Sequence, residues 1–220
     1  TGANAIDFKA KGQWIMSFDY GQHGNFTGGN GQTGYNNKED EFEARQRIRL
    51  QLDAVASEAL SGTVYFEIGD TTWGGAGKGT EGQGSGGAMG ADGVSVEVKR
   101  AYIDWMVPDT TLSFRMGIQA LALPNVAGGS AVLDDDAAGV TFHMQFNENV
   151  GLTGMWGRPL NDNYDVQDGD YSGNNKKSYL DNVDLFALTL PLTFDGIEIT
   201  PWAMLGVIGQ NAFRGETDAE

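Results

Sequence analysis

The sequence predicts an all-β fold, and within that class a transmembrane, up-and-down antiparallel β-barrel. Three observations carry the prediction. The first is the stretch Ile6 to Tyr20, IDFKAKGQWIMSFDY. It sets Ile6, Phe8, Ala10, Gly12, Trp14, Met16, Phe18 and Tyr20 on one parity and Asp7, Lys9, Lys11, Gln13, Ser17 and Asp19 on the other; only Ile15 breaks the polar set. A period of two gives a strand with one oily face and one wet face. The run is longer than the roughly 5–6 residues usual in a soluble strand. It suits a tilted strand that crosses a bilayer in about 9–11 residues and protrudes beyond it. The second observation is a regular alternation of long polar connections with short turns. The third is composition: 33 Gly, 5 Pro and 10% aromatics in 220 residues suit strands and turns better than packed helices.

Each element follows from its own period. Strand two is Glu41 to Ala56, with Phe42, Ala44, Gln46, Ile48, Leu50, Leu52, Ala54 and Ala56 on one parity and Glu41, Glu43, Arg45, Arg47, Arg49, Gln51, Asp53 and Val55 on the other. A short connection near Ser57 to Ser61 leads to strand three, Gly62 to Trp73, where Val64, Phe66 and Ile68 oppose Tyr65 and Glu67. Gly74 to Gly93 is a Gly-rich tract too long for a core connection. Strand four runs from Val94 to Val107; Ala101, Ile103, Trp105 and Val107 face lipid, and a bulge near Lys99 would reconcile Val94, Val96 and Val98 on the other parity. Pro108-Asp109-Thr110 is a tight turn. Strand five, Thr111 to Gln119, points Leu112, Phe114, Met116 and Ile118 outward, and Ser113, Arg115, Gly117 and Gln119 inward. Ala120 to Ala138 is a third long connection and holds Asp134-Asp135-Asp136. Strand six has Val140, Phe142, Met144 and Phe146 outward and Thr141, His143 and Gln145 inward. Asn147 to Asn149 turns the chain into strand seven, Val150 to Arg158; a polar tract, Asn161 to Lys177, follows. Strand eight spans Asp181 to Leu192, and strand nine spans Ile197 to Gly209 after the short turn Thr193 to Gly196. Long loops at one rim and turns at the other are the signature of an up-and-down barrel.

Composition removes several functions. A net charge of −16 repels phosphates and argues against nucleic acid. With no cysteine there is no disulfide framework, no Cys-based zinc site and no Cys nucleophile. Mean hydropathy is −0.33 and no run of 18 apolar residues occurs, so no transmembrane helix is predicted. A barrel needs only alternate residues to be apolar, and such an average hides it. The start, TGANAIDFKA, lacks a basic-then-apolar leader and reads as a mature form.

With these strands in place, the chain resembles a trimeric outer-membrane general porin, and most of all the homotrimeric porins of sulfate-reducing bacteria. The residues that carry the likeness are Phe8-Lys9-Ala10-Lys11-Gly12, Arg45-Gln46-Arg47-Ile48-Arg49-Leu50, Arg100-Ala101-Tyr102-Ile103-Asp104-Trp105 and Phe114-Arg115-Met116-Gly117-Ile118-Gln119. Their order and spacing are more specific than any one of them. The resemblance implies a barrel of about 16 strands in a Gram-negative outer membrane, a homotrimer in contact with lipid and lipopolysaccharide, and a lumen for small hydrophilic solutes. About nine strands are present and the chain ends Arg214 to Glu220 without a terminal aromatic strand. Nine strands would leave an open edge in lipid. The expectation is therefore one β-barrel domain, residues 1–220, forming the N-terminal portion of a longer barrel.

Arg45, Arg47 and Arg49 share one parity, and Arg115 has the matching one. Read functionally they are a basic ladder lining the pore; the competing reading is the solvated face of a soluble sheet. Lipid-facing arginine at the midplane would cost roughly 2–4 kcal/mol, which fixes the phase. The resemblance implies that the third long connection folds into the barrel. Asp134, Asp135 and Asp136, with Leu133 and Gly128-Gly129, then form the constriction, and acids facing arginines set a transverse field. A solvated acidic loop or a divalent-cation site are the alternatives. Tyr20, Trp73 and Trp105 near strand ends are expected in the aromatic girdles, with Trp14, Tyr102 and Trp156 as further candidates. Ala10, Gly12 and Ala44 are poor lipid contacts and suit subunit packing. The acidic clusters Glu39-Asp40-Glu41 and Asp162 to Asp170 read as solvated external loops, open to divalent cations that bridge to lipopolysaccharide; the tract before Gly169 misses the calcium-loop pattern at Tyr164.

Catalysis finds little support in two histidines, His23 and His143, without a G-x-S-x-G or metal-ligand spacing. No cofactor, metal centre or enzymatic activity is expected. The function expected is passive diffusion through a water-filled channel. Two other classes stay open: a soluble or surface β-sandwich binding module, and an outer-membrane barrel enzyme.

Overall fold

The computed structural model describes residues 6–21, 41–74, 96–125, 127–161, 182–209 and 212. They form an all-β antiparallel sheet of 11 strands. The strands are β1 (Asp7–Gly21), β2 (Glu41–Ser57), β3 (Leu60–Thr72), β4 (Val96–Met106), β5 (Leu112–Ala122), β6 (Asp134–Asn147), β7 (Val150–Asn161), β8 (Asn182–Thr189), β9 (Leu192–Phe194), β10 (Ile197–Ile199) and β11 (Trp202–Ile208). No helix occurs among the described residues. The hydrogen-bonded order is β1-β2-β3-β4-β5-β6-β7-β8-β11, with β9 and β10 as a side hairpin, so the sheet is not closed. His23, Glu39, Asp40, most of Gly74 to Gly93 and the Asp162–Asp170 cluster lie outside the described residues.

Apart from shifts of one to three residues at strand ends, two features differ from the sequence expectation. The last two expected strands are four. Pro191 and Pro201 interrupt them, leaving β8 paired with β11 and the short β9 paired with β10. Proline has no N–H for the ladder, and the bond from Leu190 N to Pro201 O, 2.9 Å, is the last before the break. The β5–β6 hairpin is longer than expected. Ala120, Leu121 and Ala122 continue β5 and pair with Asp136, Asp135 and Asp134, so only residues 123–133 connect the two strands.

By contacts the chain divides into two compact units. One holds Thr1–Phe8, Asp53–Thr63 and Arg100–Glu220; its strands β5 to β8 and β11 pair in unbroken antiparallel order. On one face of this unit a small core gathers Leu121, Leu123, Met155 and Ala187, with Leu133, Ala137 and Met204 packed against it. Leu121 and Leu123 are each 1% exposed. Register explains the cluster: Arg115, Thr141, Met155, Ala187 and Met204 stand in one row across five strands. Gly117 lies in the neighbouring row at φ 131°, where an added Cβ would run into the carbonyl of Ala101. A side chain there would force β4 and β5 apart.

The other unit holds Lys9–Leu52 and Val64–Lys99, with most of β1, β2 and β3. In both units the second face is apolar and exposed. Phe8 (74% exposed), Trp14, Met16, Phe18, Phe42 and Leu52 stand out on β1 and β2; Met116, Ile118, Phe186, Leu188, Leu205 and Val207 do so on β5, β8 and β11. A soluble sheet buries such a face, because water-exposed apolar patches rarely exceed a few hundred Å² on monomeric proteins.

Candidate functional site

The polar face of the β2–β3 pair is built from arginines and carboxylates. Arg47 donates from Nε to Asp70 Oδ1 at 2.7 Å and from Nη2 to Asp70 Oδ2. Arg49 donates from Nε to Glu67 Oε2 at 2.6 Å, and Glu67 also stands 3.9 Å from Arg47. Arg45 pairs with Glu43 on its own strand, and Thr72 Oγ1 donates to Glu43 at 3.1 Å. Glu67 and Asp70 are three residues apart, which strict alternation would put on opposite faces. Gly69, at φ 109°, breaks the period and brings Asp70 onto the arginine face; an added Cβ would stand 3.0 Å from Thr71 N and 3.4 Å from Arg47 Cα. The three arginines share one face, as their parity predicted. Glu43 shares the arginine parity in the sequence and Glu67 stands on the polar side of strand three, but their pairing was not read, and Asp70 was missed; its signal was the Gly-Asp pair at the end of strand three.

In the other unit Arg115 donates to both oxygens of Asp104, from Nε at 2.7 Å and Nη2 at 3.0 Å, and its guanidinium lies 4.0 Å from the Tyr102 ring. Tyr102 therefore packs under a cation on the polar face, where a girdle residue would not be. Gln119, 1% exposed, donates to Arg115 O at 3.1 Å and Gly139 O at 3.0 Å and accepts from Thr141 Oγ1 at 2.9 Å. It fastens the middle of β5 to β6, leaving none of its polar groups idle. His143 stands opposite Ser113 and shares a hydrogen bond of 3.0 Å with Thr153 Oγ1. A cleft of 430 Å³ runs along these residues; Glu58, Asp104, Arg115, His143, Thr153 and Met155 line it.

Asp134, Asp135 and Asp136 are not in a loop. They open β6, because the buried Leu121 continues the alternation of β5 and holds the pairing to Ala122. Asp136 accepts from Arg100 Nε at 2.7 Å, and Asp135 accepts from Asp136 N. The connection itself is tied to the core. Leu123 N donates to Leu133 O at 2.9 Å, and both side chains join the cluster with Met155 and Ala187. Asn125 caps Gly129 N at 3.2 Å, and Ser130 Oγ accepts from Val132 N at 3.3 Å. Leu133 and Gly128-Gly129 are thus the part of the expected constriction that does lie in a connection.

Tyr20 stands near the end of β1, 67% exposed. Trp73 follows β3, edge-on to Phe18 with ring centres 5.5 Å apart, and its Nε1 donates to Gln46 at 3.1 Å. Trp105, next to the last residue of β4, stacks on Phe114 at 5.9 Å. On the apolar face Trp156 Nε1 donates to Asp184 at 2.7 Å, and Asp184 holds Arg158 at 2.9 and 3.0 Å. Gly12 is covered by the ring of Trp14, 2.8 Å from where a Cβ would stand, and Ala44 is 6% exposed. Ala44 is packed within the chain, whereas Gly12 remains exposed beside the ring. No group of three or more potential metal ligands gathers among the described residues.

No family model and no curated protein matches the chain. What the chain does is therefore argued from the two faces of its sheet.

Proposed function

We propose that the chain forms the wall of an outer-membrane β-barrel channel, a porin of the Gram-negative type, through which small hydrophilic solutes and ions diffuse passively. One observation carries this reading: the sheet is inside out. In the unit of β1 to β3, Trp14 and Phe42 are exposed on one face and the Arg47–Asp70 pair stands on the other; in the second unit Met116, Phe186 and Leu205 are exposed, and the opposite face carries the Arg115–Asp104 pair and the His143–Thr153 bond beside its small apolar core. Lipid favours the first face and water the second. Long strands of 15 and 17 residues, β1 and β2, have the reach such a wall needs. Aromatic residues near strand ends, Tyr20, Trp73 and Trp105, suit the two interfaces. The connection 123–133, held to the polar face by Leu123 and Leu133, narrows the lumen in this reading.

The porin assembles as a homotrimer in contact with lipid and lipopolysaccharide, and it transports without a cofactor. The test is a planar bilayer. The protein purified from membranes should give stepwise ohmic currents that close in threes. A silent bilayer with folded protein would sink the channel and favour a surface binding module.

A further inference from the structure

Resting on the channel reading, we propose that the arginine ladder of β2 is electrically silent, and that the channel passes cations in preference to anions, with Glu67 and Asp70 as the residues that decide it. Arginines on a pore wall attract anions only if their charge reaches the solution. Here it does not. Arg47 is held by both oxygens of Asp70, Arg49 by Glu67 and Arg45 by Glu43. Three cations meet three carboxylates at contact distance; Arg45 and Asp70 are 53% and 56% exposed, so it is the pairing and not burial that cancels the charge. A pair in contact presents a dipole, whose potential falls off faster than that of a free charge and is screened within about 8–10 Å at ordinary ionic strength. The placement of Asp70 is built in: Gly69, at φ 109°, breaks the strand period and brings the second carboxylate of β3 onto the arginine face.

The same holds for the other described arginines. Arg100 pairs with Asp136 and Arg115 with Asp104, and Arg158, on the apolar face and not on the lumen side, pairs with Asp184. With 30 acidic and 14 basic side chains in the chain, the charge that remains after pairing is negative. A negative field concentrates cations at the mouth and along the lumen. The preferred solutes are small inorganic and organic cations, with neutral polar solutes passing by size.

The experiment is the zero-current potential of the full protein in a planar bilayer under a potassium chloride gradient, for the wild type and two double variants. Wild type should show the cation sign. E67Q/D70N frees Arg47 and Arg49 and should lower the cation-to-anion permeability ratio severalfold. R47Q/R49Q frees the two carboxylates and should raise it. An anion-selective wild type, or an E67Q/D70N channel with an unmoved ratio, would overturn the proposal while leaving the channel itself standing. Should E67Q/D70N yield no folded protein, R47Q/R49Q decides: a ratio that stays or falls overturns the proposal. Absence of wild-type currents would remove the channel, and this inference with it.

Discussion

In the β2–β3 wall the polar face is satisfied strand to strand by ion pairs: Arg47 with Asp70 and Arg49 with Glu67. In the β5–β8 wall the same kind of face carries a buried apolar layer, with Leu121, Leu123, Met155 and Ala187 under the ends of the connection 123–133. The first wall has charges held at their places by their partners and open to water. The second has a side chain at 1% exposure whose surroundings cannot refill a gap cheaply. The contrast separates what sets the electrical character of the wall from what holds a loop on it. It also sets the scale of each expected effect, since buried apolar contacts are worth more than exposed ion pairs.

The largest effect belongs to the apolar layer. Leu121→Ala should cost about 2–5 kcal/mol in unfolding free energy, read from urea midpoints of the protein in lipid vesicles. It should also loosen the 123–133 connection and make it cleavable by protease. A loss under about 1 kcal/mol would mean that this layer is no core, and the contrast between the walls would fail. Next comes the exposed face. Met116→Arg, near the middle of β5, should cost roughly 2–4 kcal/mol in lipid, while Ser113→Arg on the polar face of the same strand should cost little. Equal costs on both faces would remove the bilayer from the argument.

Backbone space gives a smaller and more local effect. Gly117 combines a φ of 131° with close approach to Ala101, so Gly117→Ala is both strained and crowded. A loss of about 1–3 kcal/mol is expected from the same urea midpoints. A neutral substitution would mean that β4 and β5 part easily, and that the wall owes little to this register.

Much of this was legible from the period of two, and some was not, for physical reasons. β1 and β2 were readable because their alternation runs over 15 residues or more with only single exceptions such as Ile15. The end of strand five was not, since Ala120 and Ala122 are too small to mark a face and only Leu121 carries the signal. The acidic triplet looked like a loop because charge at a strand's start resembles charge in a connection; the register with Ala120 to Ala122 decides otherwise. The expected strands ran through Pro191 and Pro201; the prolines carried a signal for the break, but which pairs survive it depends on where they meet across the hairpin. The ladder's face was legible and its partners were not. A strand's own sequence gives parity, whereas the carboxylate opposite an arginine depends on register and on the irregularity at Gly69.

The smallest effect sharpens the comparison most, because it asks whether the polar face of the second wall is wet. Arg115 binds both oxygens of Asp104 and covers Tyr102, yet the two side chains remain 41% and 37% exposed. Lysine in its place keeps the charge but loses the planar fork and the ring contact. If water reaches the pair, as an open cleft of 430 Å³ along it implies, solvent takes up most of the lost interaction. Arg115→Lys should then cost less than about 1 kcal/mol. A loss well above 2 kcal/mol would place the pair with Leu121 in the dry layer, since uncompensated buried charge is costly by about that much or more. The two walls would then differ only in degree, and the water placed on the polar face of β4 and β5 would have to be given up.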